Sequence, residues 1–142
     1  MTGKLEGKVA LITGAGSGIG AETARQMAAE GADVSLLGIP PEGVQTVAAE
    51  ISETGHSALA FPTDVSDTIQ IQTAVDQTVE QFGRLDIVVA SAAVQLHERD
   101  RSLHTMDDEA WDLTHNVNYR GVYLTCKSGL ARMVEQGDGG VI

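Results

Sequence analysis

Short runs of β-forming apolar residues alternate with longer stretches of helical period along the whole chain, and few folds accommodate that order. Residues 8–13 (KVALIT) are an apolar run stopped by Gly14. Residues 19–31 (IGAETARQMAAEG) then place Ile19, Thr23 and Met27 at helical spacing, with Gly31 as the stop. The alternation repeats with a strand at 33–38 (DVSLLG), a helix at 41–55 opened by Pro41 and closed by Gly55, and a strand at 57–62 (SALAFP). A third helix is predicted at 66–83, capped by Ser66, with Ile71, Val75 and Val79 on one face, and a fourth strand at 85–91 (LDIVVAS). The last helix has a capping-type start at Thr105, with Asp107, Asp108 and Glu109 in its first turn at the positive end of the dipole. It runs towards Gln136 and meets GDGGVI.

Strands that are apolar nearly throughout are expected where helices cover both faces of a parallel sheet. Right-handed crossovers then distribute the helices over two layers. The sequence therefore predicts an α/β fold, a doubly wound parallel sheet in strand order 3-2-1-4.

Its 142 residues are one domain's worth of chain, enough to bury a core, and no repeat or linker divides them. The formal charge of −11 argues against nucleic acid and against an anionic membrane surface, because no Lys/Arg cluster exists to meet phosphates. No apolar run reaches the length of a membrane span, and residues 1–8 lack the hydrophobic centre of a signal peptide. Cys126 is the single cysteine, which excludes an internal disulfide and suits a cytoplasmic protein. With few aromatics, the core must be built mainly from Ala, Val, Leu and Ile.

Gly14, Gly18 and Gly20 lie between the first strand and the first helix. A glycine-rich turn of this kind can be merely a tight turn. Placed at the start of a βαβ unit, it instead reads as a dinucleotide site. Glycines let the backbone approach a pyrophosphate, and the helix N-terminus offers unpaired N–H groups and partial positive charge.

The stretch TGAGSGIG closely resembles the short-chain dehydrogenase/reductase family, and further segments fall in register with it. The resemblance implies a Rossmann-type domain spanning 1–142 that binds NAD or NADP through Gly14, Ser17, Gly18, Ile19 and Gly20. TDVSD resembles the family's segment after the third strand, which implies that Asp64 and Val65 lie beside the adenine. Gly38 ends the second strand near the adenosine ribose. Residues 90–93 (Ala90, Ser91, Ala92, Ala93) stand where the family usually has Asn-Asn-Ala-Gly, near the nicotinamide ribose. NVNYRGVYL resembles the helix carrying an active-site Asn, which implies that role for Asn118.

Two departures bear on the cofactor. The end of the second strand reads Gly38-Ile39-Pro40, with neither an acid for ribose hydroxyls nor a base for a 2′-phosphate, and Ser17 replaces a basic residue seen in many NADP users of the family. The sequence leaves NAD versus NADP open.

His56, His97, His104 and His115 show no metal-ligand spacing, so no metal is expected. Ser91 has no evident base to activate it. Tyr123 and Lys127 have the spacing of the family's Tyr-x-x-x-Lys pair, but that pair follows the fifth strand and these residues precede it. GGVI resembles the start of that fifth strand, whose end carries the family's Ser, so the expectation is a domain incomplete at its C-terminus and lacking catalytic Ser, Tyr and Lys. Two readings follow. One is an oxidoreductase passing hydride between a nicotinamide dinucleotide and a small alcohol or carbonyl. The other is a non-catalytic dinucleotide-binding or interaction module. The last helix, apolar around most of its circumference, and an unpaired edge on strand four both imply a homo-oligomer.

Overall fold

The computed structural model describes residues 3–142; Met1 and Thr2, part of the stretch read for a leader, lie outside the described residues. The elements are β1 (Val9–Thr13), α1 (Gly18–Ala29), β2 (Asp33–Gly38), α2 (Pro41–Glu53), β3 (Ala58–Pro62), α3 (Thr68–Phe82) and β4 (Ile87–Ala90). A 3-10 turn (Leu103–Thr105), α4 (Asp108–His115), a π-helical turn (Asn116–Arg120) and α5 (Gly121–Gln136) follow. All strands are parallel, in the order β3-β2-β1-β4 expected from the alternation.

Because successive strand residues point to opposite faces, each strand feeds two cores. Ala10 and Ile12 of β1, with Val34 and Leu36 of β2, meet Ala21, Ala24 and Ala28 of α1 and Val44, Val47 and Ile51 of α2. Val9, Leu11, Leu37 and Val88 point the other way, onto Ile71, Ala74 and Val75 of α3 and Met133 of α5. The alanine stripe of α1 lets that helix ride close to the sheet, which brings its N-terminus to the strand ends. Ser35, a polar residue of β2 buried against α3, shares a hydrogen bond with Thr78 at 2.9 Å, so its burial leaves no orphaned hydroxyl.

Three local expectations are corrected. Asp67, not Ser66, caps α3, accepting from the amides of Ile69 (2.8 Å) and Gln70 (3.1 Å). A carboxylate is the stronger acceptor for these donors at the positive end of a helix. Ser66 instead turns its hydroxyl to Asp64. Asp107 likewise caps α4 through the amides of Glu109 and Ala110, while Thr105 closes the preceding 3-10 turn. The outer edge of β4 is not bare: Val141 pairs parallel with Ile87, accepting from the Val88 amide and donating to the Asp86 carbonyl, both at 2.9 Å. From Asp108 to Gln136 the backbone stays helical, interrupted only by the π turn. Among the described residues no helix is long and apolar enough to cross a membrane.

Asp86 ties the other end of the sheet together. Its carboxylate accepts from the Val9 amide (2.9 Å) and from Arg84 Nε (2.7 Å), and Arg84 continues to Asp138 beyond α5 (3.0 Å). Burial opposes ionisation of Asp86 most, yet Arg84, the Val9 amide and Lys8 together hold its carboxyl below the usual range. Asp138 is lowered as well, chiefly by its bond from Gln136. A carboxyl whose folded-state pKa is depressed stabilises the fold fully above its unfolded value of about 3.9 and loses that contribution as pH falls through the folded value. Denaturant unfolding should therefore show stability falling below about pH 4. Asp86→Asn should flatten that slope while lowering stability at pH 7; an unchanged acid slope would show that this network does not hold the sheet end.

Candidate functional site

β1 delivers the chain to Gly14 at the C-terminal edge of the sheet, where β2 lies on one side and β4 on the other. Gly14 has φ +65°, and a β-carbon there would fall 2.7 Å from the Ala92 α-carbon. A β-carbon on Gly20 would fall 2.3 Å from the Gly14 carbonyl oxygen. The loop can take this path only without side chains at those points. Thr13, buried at the end of β1, accepts the Ala92 amide on its hydroxyl at 3.1 Å and fastens the segment after β4 to the loop.

The N-terminus of α1 is left open. Ser17 stands at its N-cap in extended conformation without bonding the first turn, and no acidic residue lies in that turn. α3 and α4, by contrast, begin under the carboxylates of Asp67 and Asp107. First-turn amides have no acceptor inside their own helix, so α1 offers its donors and the positive end of its dipole to whatever lies in front of it.

In front of it is a cleft of about 530 Å³. Gly14, Ser17, Gly18, Ile19, Gly20, Gly38, Asp64, Val65, Ser91, Ala92 and Ala93 all line it, so the structure brings together every candidate cofactor contact read from the sequence. Ile39 and Pro40 line it too, along with Gly16, Gly43, Thr63, Val94 and Val117, which sequence reasoning did not single out. Val94 and Val117 belong to elements separated along the chain, and only the fold places them side by side. The one charged lining residue, Asp64, accepts from the Ser66 amide (2.9 Å) and hydroxyl (2.7 Å).

Asn118 sits on the π turn, behind the cleft wall. Its amide group donates to the Val94 carbonyl (2.8 Å) while its carbonyl accepts the Val94 amide (2.7 Å). It therefore fixes the segment after β4 by two bonds. Arg120, on the same turn, reaches the Ser66 carbonyl and the Thr68 hydroxyl, so the π turn grips both the β3–α3 connection and the β4 connection. Tyr123 and Lys127 lie elsewhere. Lys127 Nζ is 3.2 Å from the Tyr123 hydroxyl, and both line a shallow apolar depression on α5 with Leu130 and Val134, not the cleft.

Comparison with known proteins places this geometry. D-threitol dehydrogenase of Mycolicibacterium smegmatis is 37% identical over 139 residues, an alignment that takes in 98% of this chain and 52% of that protein. The crystal structure of carveol dehydrogenase from Mycobacterium avium in complex with NAD superposes with a TM-score of 0.92 at 35% identity, covering 99% of this chain and 55% of its own. A metagenomic short-chain oxidoreductase in complex with NADP superposes with a TM-score of 0.87 at 32% identity, covering 96% of this chain and 61% of its own. The chain thus spans about half the length of the curated relatives it matches. The family model for the short chain dehydrogenases matches residues 8–142, and the chain belongs to that family.

Proposed function

We propose that these residues form the dinucleotide-binding part of an NAD(P)-dependent oxidoreductase that moves hydride between its cofactor and a small alcohol or carbonyl. One observation carries the reading: the glycine loop, the turn at Asp64–Val65 and residues 91–93 line a single cleft at the strand ends, beneath an uncapped helix N-terminus. That position, where neighbouring crossovers leave β1 in opposite directions, is where open α/β sheets bind ligands. The cradle fits a nicotinamide dinucleotide. The first-turn amides of α1 suit its pyrophosphate, Asp64 and Val65 suit the adenine, and residues 91–93 suit the nicotinamide ribose. When bound, the dinucleotide supplies the hydride donor or acceptor. The chain's own contribution is to hold it, and Asn118 stiffens the wall through Val94.

Isolated as this polypeptide, the chain should bind NAD(H) with a Kd of about 0.1–1 mM. Gly18→Asp should abolish that binding. Gly18 has φ +54° at the first turn of α1, and the substitution adds both strain and negative charge where an anion would sit. Equal affinity in that variant by calorimetry would remove the loop from the site.

The second reading, binding without turnover in these residues alone, is favoured by where the tyrosines lie. The sequence has two, Tyr119 and Tyr123, both exposed and neither lining the cleft. Proton delivery to the carbonyl oxygen by a positioned acid typically contributes about 10²–10⁴-fold. NAD(P)H turnover over a panel of ketones and alcohols should therefore be undetectable for the 142-residue polypeptide. Turnover that vanishes in Tyr123→Phe would reverse this.

Association is the remaining part of the proposal. Trp111, Tyr119, Tyr123, Leu130 and Val134 are exposed at near-helical intervals along α4, the π turn and α5; Trp111 stacks on His115, whose other neighbour Tyr119 is tilted against it. So continuous an apolar stripe is normally covered. We expect a homo-oligomer by light scattering, shifted towards monomer by Leu130→Glu with Val134→Glu; a monomer at high concentration in the unaltered protein would count against the stripe as an interface.

A further inference from the structure

We propose that the cleft selects NAD over NADP, because the connection from β2 to α2 offers a 2′-phosphate no cation and few amide donors. The inference rests on the cleft being the cofactor site, and it concerns the adenosine ribose. In folds of this kind the residue about 20 positions past the glycines, at the end of the second strand, meets the ribose 2′ position. Here that place is Gly38, followed by Ile39, Pro40 and Pro41.

Gly38, Ile39, Pro40 and Gly43 line the cleft, and the loop from β1 closes over them, since a β-carbon on Gly16 would lie 3.2 Å from the Gly43 α-carbon. Among the described lining residues none is Lys, Arg or His, and the single charge is the negative one of Asp64. Ser17, the side chain nearest in sequence to the loop's closest approach to α2, is neutral. Pro40 and Pro41 remove two consecutive backbone N–H groups from the segment that would otherwise form an anion nest. The start of α2 is the one positive feature left, and Glu42 already sits in its first turn. A phosphate monoester carrying nearly two charges would exchange strong hydration for apolar surface and a nearby carboxylate. A ribose hydroxyl loses far less by the same transfer.

The preference is independent of the nicotinamide half, so it can be read on fragments as well as on the whole cofactor. Calorimetry at one ionic strength, with NAD+ against NADP+ and with 5′-AMP against adenosine 2′,5′-bisphosphate, should show the ligand lacking the 2′-phosphate bound at least about tenfold more tightly in each pair. Ile39→Arg places a cation at the rim, at a position that is 62% exposed. It should shift the ratio of NADP+ to NAD+ affinity about tenfold towards NADP+. NADP+ bound equally or more tightly by the unaltered protein, or a ratio unmoved by Ile39→Arg, would overturn the selection while leaving the cleft as the cofactor site. Binding of none of the four ligands would instead overturn the cofactor site, and the selection with it.

Discussion

Backbone meets backbone on three sides of the loop between β1 and α1. Gly14 lies against the backbone of Ala92, Gly20 against the carbonyl of Gly14, and Gly16 against Gly43 at the start of α2. None of these contacts leaves room for a β-carbon at ordinary separation. The loop is consequently a wedge whose position is set by the sheet, by α1 and by α2 at once. The cleft walls inherit that position: Ala92 and Ala93 continue from β4, Gly38 and Ile39 from β2, and the open helix end from α1. The first turn of α1 can then face a ligand without side chains in between, and the alanines packed beneath that helix keep it at that height over the sheet.

The architecture was legible because its signals are periodic and repeated. Each strand is short and mainly apolar, the first three end at glycine or proline, each helix shows its stripe, and the crossover rule leaves little freedom in strand order. The cleft lining is legible for a related reason, since those residues cluster at the C-terminal ends of strands, where the sequence marks the turn. What escaped were choices between neighbours. At residues 66–67 and 105–107 two acceptors compete for one helix end, and a carboxylate wins over a hydroxyl by charge that a pattern of residue types does not rank. Val94, Val117 and Gly43 escaped because they become cleft lining only through tertiary contacts. The family resemblance implies an active-site role for Asn118, whereas its grip on both backbone groups of Val94, 24 residues away, has no local signature.

The π turn explains how one short segment makes these long-range contacts. A single turn with wider hydrogen bonding shifts the phase of the helix, so α4 and α5 need not present the same face to the sheet. α5 packs Leu124 and Met133 inward, while at the junction Gly121 comes so close to Val65 that a β-carbon would lie 2.7 Å from its side chain. Asn118 and Arg120, on either side of Tyr119, then reach in two directions, one to the segment after β4 and the other to the turn after β3. Two cleft walls that belong to different crossovers are held in register by one interruption in one helix.

The electrostatics of the molecule and of its cleft point in opposite directions, and distance decides between them. A chain with a net charge of −11 repels an extended polyanion, which meets the whole surface. A dinucleotide meets only the cleft, and exposed charges beyond about 8 Å are largely screened at physiological ionic strength. Among the described residues that line the cleft the one charged side chain is Asp64, whose carboxylate already accepts two bonds from Ser66. The first turn of α1 carries no acid, whereas those of α2 and α4 do. Beside the cleft, α2 thus brings Glu42 in its first turn, while the open start of α1 brings no acid. An anionic ligand can be held there by neutral amides and a dipole, inside a protein whose overall charge would turn nucleic acid away.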